Sequence, residues 1–152
     1  MATGTGPHIE EIAQDLFEVF THFSLYTHPQ QRKGEMLKDA EFLTLAILQQ
    51  NRINIVGEIQ RKLGVLPAQM SRIIRSLENR PEPLIRCQIN SNDKRKIDVH
   101  LTEAGEQAFV KYQEARIRKL VELLSQLQDD DHEEITRLIH KLQIVFDLSR
   151  VA

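Results

Sequence analysis

Two stretches, IVGEIQRKLGVLPAQMSRIIRSLE (residues 55–78) and NDKRKIDVHLTEAG (residues 92–105), decide how this chain folds. In the first, Val56, Ile59 and Leu63 recur at helical spacing as far as Gly64, the residue type that turns a chain through positive φ without steric penalty. Pro67 then suits the first turn of a further helix, where a missing N–H is no loss, and Met70, Ile73, Ile74 and Leu77 form its inner stripe. Gln69, Ser71, Arg72 and Arg75 are left facing outward. Pro81 and Pro83 end this helix and send the chain on in extended form.

The second stretch closes a hairpin. Ile85, Cys87 and Ile89 alternate with Arg86, Gln88 and Asn90, while Ile97, Val99 and Leu101 alternate with Asp98 and His100, so both runs read as half-buried strands. Both apolar sets share one face only if Ile89 pairs with Ile97, Cys87 with Val99 and Ile85 with Leu101, since a slip of one residue exposes one set. The loop from Asn90 to Lys96 becomes the tip, with Lys94, Arg95 and Lys96 on it and Asp93 beside Arg95 to orient the guanidinium.

Two short helices around a Gly-centred turn, followed by a basic-tipped hairpin, make a winged helix-turn-helix. Arg and Gln on the outward helix face can reach guanine and adenine edges in a major groove, and an oriented Arg on the wing suits a narrow, electronegative minor groove. Solvated arginines and a hairpin kept soluble by charge are the plain alternative, and the shared context of turn and wing weighs against it. The expected DNA-binding residues are therefore Gln69, Ser71, Arg72, Arg75, Lys94, Arg95 and Lys96, with Asp93 as wing support.

Outward from this centre the chain is helical. After a Gly/Thr-rich start expected to fray, Ile9, Ile12, Leu16, Val19, Phe20 and Phe23 trace an amphipathic helix, which His28-Pro29-Gln30 breaks. A polar connection to Lys38 leads to a second helix from Asp39, its expected N-cap, to about Gln50; Asn51 to Asn54 is too short to assign. Thr102 caps a long helix carrying Phe109, Tyr112, Ile117, Leu120, Val121, Leu124 and Leu127 to about Gln128, roughly 40 Å in length. Asp129-Asp130-Asp131 begins a last helix, with anions at its positive end and a stripe of Ile135, Leu138, Ile139, Leu142, Val145 and Phe146.

The expected class is mainly α (α+β), a winged helix-turn-helix with a two-stranded wing hairpin and an N- and C-terminal helical dimerisation region. Residues 1–152 form a single domain, in which 39–105 is the DNA-binding region and 8–38 with 106–152 the dimerisation region. The outer helices carry more apolar face than one small winged helix covers, and a homodimer is the economical way to bury it.

Charge supports the division. The formal net charge is −2, yet residues 51–105 carry 10 Lys and Arg against 6 Asp and Glu, and the remainder 10 against 16. A basic face in an acidic frame binds phosphates locally. The one cysteine, Cys87, excludes an internal disulfide and a multi-cysteine zinc site, and its place opposite Val99 favours packing over redox sensing. No two histidines stand four apart on a helix, so no metal site is expected, and His100 beside Arg86 removes a Cys87/His100 nucleophile pair. No run approaches the roughly 18 apolar residues of a membrane helix, and MATGTGPH lacks a signal peptide's regions, so a cytoplasmic protein is expected.

The order of elements resembles the MarR family of bacterial transcriptional regulators over nearly the whole chain. In that family the wing carries Asp-x-Arg and a strand ending in Leu-Thr-x-x-Gly, matched here by Asp93-Lys94-Arg95 and Leu101-Thr102-Glu103-Ala104-Gly105, and the pattern Met70 to Glu78 fits its recognition helix. The resemblance implies a homodimer intertwined through its first, fifth and sixth helices, a palindromic operator in double-stranded DNA, and a small-molecule effector, phenolic or other. Leu66-Pro67 departs from the Ser/Thr-type cap usual there, and Pro81-Glu82-Pro83 makes the approach to the wing stiffer and less basic. The reading is of a ligand-responsive repressor without cofactor or catalytic residues. Its rivals are a winged-helix module that binds protein and an enzyme using Cys87 or a histidine-bound metal.

Overall fold

A computed structural model of the chain describes residues 8–27 and 37–151, with side chains through 147; the expected frayed start and the break at His28-Pro29-Gln30 lie outside them. The elements are α1 (Ile9–Tyr26), α2 (Asp39–Gln50), β1 (Ile53–Ile55), α3 (Val56–Leu63), α4 (Pro67–Glu78), β2 (Ile85–Ile89), β3 (Ile97–Leu101), α5 (Glu103–Leu124) and α6 (Asp129–Val151). They divide into two compact units, residues 29–115 and residues 1–28 with 116–152.

In the unit of residues 29–115 the expected hairpin is present, with Ile89 opposite Ile97, Cys87 opposite Val99 and Ile85 opposite Leu101. A third strand joins it: β1 pairs antiparallel with β3, Ile53 opposite His100 and Ile55 opposite Asp98, giving the order β1-β3-β2. Ile53 and Asn54 lie in the stretch the sequence left unassigned, because so short a run shows no alternation, and Ile55, read as the start of the next helix, ends the strand instead. Leu45 and Leu48 of α2, Ile59 of α3, Met70 and Leu77 of α4, Ile85 and Val99 meet in a fully buried core. The strand face is covered only at its base. Cys87 is half-buried and Ile89 and Ile97 are exposed, where the hairpin runs out beyond the helices.

Helix α2 starts at Asp39 as expected, but the N-cap is Lys38, and the Asp39 carboxylate instead accepts from the Tyr112 hydroxyl at 3.1 Å. Glu41 replaces the expected cap. One of its oxygens accepts the Lys38 N–H at 2.9 Å, and the other accepts the Ser76 hydroxyl at 2.7 Å and the Arg80 guanidinium at 3.1 Å. With Glu41 only 3% exposed, the carboxylate clamps the start of α2 to the end of α4. Phe42 stacks on Phe109 and Tyr112 at centroid distances of 5.1 and 4.4 Å, which docks the first part of α5 on α2.

Thr102 starts α5 as the sequence suggests. Its Oγ1 accepts the Gly105 N–H at 3.0 Å and donates to the Pro83 carbonyl at 2.6 Å, while its own N–H bonds the Leu84 carbonyl at 3.2 Å. The helix ends at Leu124, short of the expected Gln128. There the Ser125 hydroxyl folds back onto the Val121 carbonyl at 2.6 Å, and Gln126 and Leu127 tighten to bonds three residues back.

In the other unit, Thr27 closes α1: its hydroxyl donates to the Phe23 carbonyl and accepts the Arg116 guanidinium at 3.0 Å. No residue of α1 is buried, and its apolar stripe lies open from Ile9 to Phe20 (63% exposed at Phe20); Phe146 of α6 is open to a similar degree, 67%. Among the described residues no helix is long and apolar enough to cross a membrane.

Candidate nucleic-acid interface

The turn between α3 and α4 depends on Gly64, which takes φ 66° and ψ 34° while its N–H and that of Val65 bond back to the Gln60 carbonyl. This left-handed geometry is strained for residues with a Cβ, which favours glycine here. Leu66 then stands at the N-cap in extended backbone and Pro67 opens α4. Met70, Ile73 and Leu77 face the core, while Ser71, Arg72 and Arg75 are exposed on the opposite side and Gln69 is exposed on the flank. The Ser71 hydroxyl donates to the Pro67 carbonyl at 3.1 Å, so only its oxygen is open to a partner. Ile74, expected in the inner stripe, is half-buried at its margin.

The wing tip is built by Asn90, whose part in it the sequence reading did not foresee. Its side-chain oxygen accepts the N–H groups of Asn92 and Asp93 at 2.9 Å, its amide donates to Asp98 at 2.9 Å, and its backbone N–H bonds the Lys96 carbonyl. An asparagine hydrogen-bonding the backbone two residues on is a turn device, and Asn90-Ser91-Asn92 carries that signal. Asp93, held by this turn, grips Arg95 through Nε at 3.2 Å, through a terminal nitrogen at 3.3 Å and through the Arg95 N–H at 3.0 Å. The Arg95 guanidinium hydrogen bond, with the backbone bond second, holds the Asp93 carboxyl below its ordinary pKa. Arg95 nonetheless remains 91% exposed, so its guanidinium is both oriented and presented. Lys94 and Lys96 flank it, exposed. Arg95, Lys96 and Ile97 also line a groove with Ile55 to Glu58, so the wing and the start of α3 share a surface.

Cys87 of β2 is half-buried and packs against the core. Burial pushes its thiol up to about 11, assisted by Glu78, whose carboxylate also accepts the Cys87 N–H at 3.0 Å. Alkylation by iodoacetamide at neutral pH should therefore run at least about tenfold slower in the folded protein than in urea, as read by mass spectrometry. The folded thiol keeps its proton above the unfolded value of about 8.5. Stability is thus intact below that pH and declines as pH rises towards about 11, a loss that Cys87→Ala should lessen in urea titrations at stepped pH. His100 stands beside Arg86, away from Cys87, and its buried Nε2 has no partner. Among the described residues no cluster of three His, Cys, Asp or Glu groups has the placement to hold a metal.

No protein-family model matches the chain, and no curated protein does. Solved structures do. The YusO protein of Bacillus subtilis superposes with a TM-score of 0.69 at 23% identity, over 89% of this chain and 94% of that one. Apo MarR of E. coli gives 0.70 at 18% identity, over 91% and 98%. BpsR of Bordetella bronchiseptica, whose DNA binding is regulated by 6-hydroxynicotinic acid, gives 0.63 at 16% identity, over 88% and 98%. Sequence identity is low, while coverage is nearly complete on both sides. The order of the helices, the wing register and these superpositions agree: the chain has the winged helix-turn-helix fold of MarR.

Proposed function

We propose that this chain is a DNA-binding transcriptional regulator, a homodimer that represses by occupying a palindromic operator and responds to a small-molecule effector. The observation that carries the reading is the pairing, within one compact unit, of an exposed polar face on α4 with a presented Arg95 on the wing. Gln69, Arg72 and Arg75, with the Ser71 oxygen, read base edges in the major groove, and Lys94, Arg95 and Lys96 enter the flanking minor groove. The open apolar faces of α1 and α6 support a second copy as their cover. Two recognition helices then meet successive major grooves roughly 34 Å apart. An effector acts by binding better to a dimer whose helices miss that spacing; that the DNA binding of BpsR is regulated by 6-hydroxynicotinic acid supports a small molecule in this part.

The test is fluorescence anisotropy over a salt series, with DNA from upstream of the chain's own gene and scrambled DNA. Wild type should bind the first more tightly, with a steep salt dependence. Arg95→Ala should weaken binding to both and reduce the salt slope by about 1 per copy, so about 2 for the dimer. Arg72→Ala and Arg75→Ala should each lose about tenfold or more on the preferred DNA and narrow its advantage over scrambled DNA. Unchanged affinity in all three would remove DNA from the reading and favour a protein-binding module. Sedimentation equilibrium reads the dimer directly.

A further inference from the structure

The leading end of α4 carries side chains that the proposed role leaves unused. Leu66 is 73% exposed, lies outside the core and its packed margin, and makes no side-chain cap hydrogen bond to the helix it starts. Pro67 and Ala68 beside it are exposed too. Ser, Thr, Asp or Asn at such a cap would satisfy a free helix N–H, whereas here three successive side chains hold no hydrogen-bonding atom. A single exposed leucine means little in itself. Its position matters, because the first residues of a recognition helix are those that reach base edges in the groove.

All four bases present hydrogen-bonding groups at the major-groove edge, and thymine alone adds a methyl. An apolar tip pressed on a purine or cytosine edge removes water from those groups and returns no hydrogen bond. Against thymine the same tip buries the 5-methyl group. We propose that Leu66, backed by Pro67 and Ala68, reads a thymine methyl and so specifies a T in each half-site of the DNA; the inference rests on the DNA-binding reading of α4. The Leu66-Pro67 departure from a hydroxyl cap then exchanges a cap hydrogen bond for an apolar base contact. Gln69, Arg72 and Arg75 supply the hydrogen bonds farther along the helix.

The full chain is allowed to select from a pool of randomised duplexes, and the best-bound duplex is remade with deoxyuridine replacing thymine at one position at a time. Wild type should lose about fourfold in affinity per half-site at one position, the worth of one buried methyl. Leu66→Ala, at a site outside the core, should bind the thymine and deoxyuridine duplexes equally. Sequence-selective binding that no deoxyuridine alters, or a deoxyuridine effect that Leu66→Ala keeps in full, overturns the thymine assignment and leaves the DNA reading standing. Failure to enrich any duplex at low salt overturns both.

Discussion

Gly105→Ala should lower the unfolding free energy by about 2–3 kcal/mol, although the same exchange in an ordinary helix gains about 1 kcal/mol. The opposite sign follows from what an added methyl meets. A Cβ at this position would overlap the Leu84 carbonyl oxygen and come within 2.8 Å of Leu101 Cδ1. The leucine side chain can turn aside, but the carbonyl is held by the Thr102 N–H at 3.2 Å, and Thr102 is bound in turn to Pro83 and Gly105. Relief requires α5 to back away from the root of β2, opening the cap that starts the helix. In urea the unfolding midpoint should fall while the slope stays constant. A midpoint that rises would show that α5 has room to move, and the close approach would then not explain the glycine.

Glu41→Ala should cost about 3 kcal/mol, because removing one partner of a buried ion pair leaves the other uncompensated. The loss strands three groups at once: the Lys38 N–H, the Ser76 hydroxyl and the Arg80 guanidinium, which is itself only 25% exposed. Glu41→Gln keeps the shape and one acceptor and should lose roughly half as much, whereas Ser76→Ala, which removes one neutral donor, should cost about 1 kcal/mol. A double-mutant cycle between Glu41 and Arg80 isolates the pair, with an expected coupling of about 1–2 kcal/mol. A cost below about 0.5 kcal/mol for Glu41→Ala, the level of a plain surface change, would mean that the clamp does not hold α4 to α2.

The hairpin register was legible because strict alternation on both sides of the loop leaves one pairing that buries both sets, Cys87 against Val99 at its middle. The helices were legible for the same reason at a period of 3.6, and Gly64 and Pro67 mark the turn between α3 and α4 by backbone chemistry alone. Glu41 was not legible. A lone acid in a helix reads as solvated, and its burial depends on Ser76 and Arg80, 35 and 39 residues away. Asp39 as N-cap was off by one position for a related reason, since the tertiary contact with Tyr112 claimed its carboxylate. Strand β1 exists only because β3 offers it an edge, which no local pattern records. In the site, the outward face of α4 follows from periodicity, while the order of the wing tip comes from Asn90, which holds the backbone two and three residues on, a local turn signal passed over in the sequence, and reaches Asp98 across the loop.

Strand β1 has a consequence for any duplex this chain meets. Ile55 ends the strand and Val56 begins α3, so the helix-turn-helix is laced directly to the middle strand of the wing. The span from Arg72 and Arg75 to Arg95 is thereby a gauge set within one compact unit. In the proposed complex, DNA whose grooves do not match that gauge must bend or narrow to be gripped at both points. Flexible pyrimidine–purine steps yield at less elastic cost than stiff ones. Preference then arises at base pairs that no side chain touches.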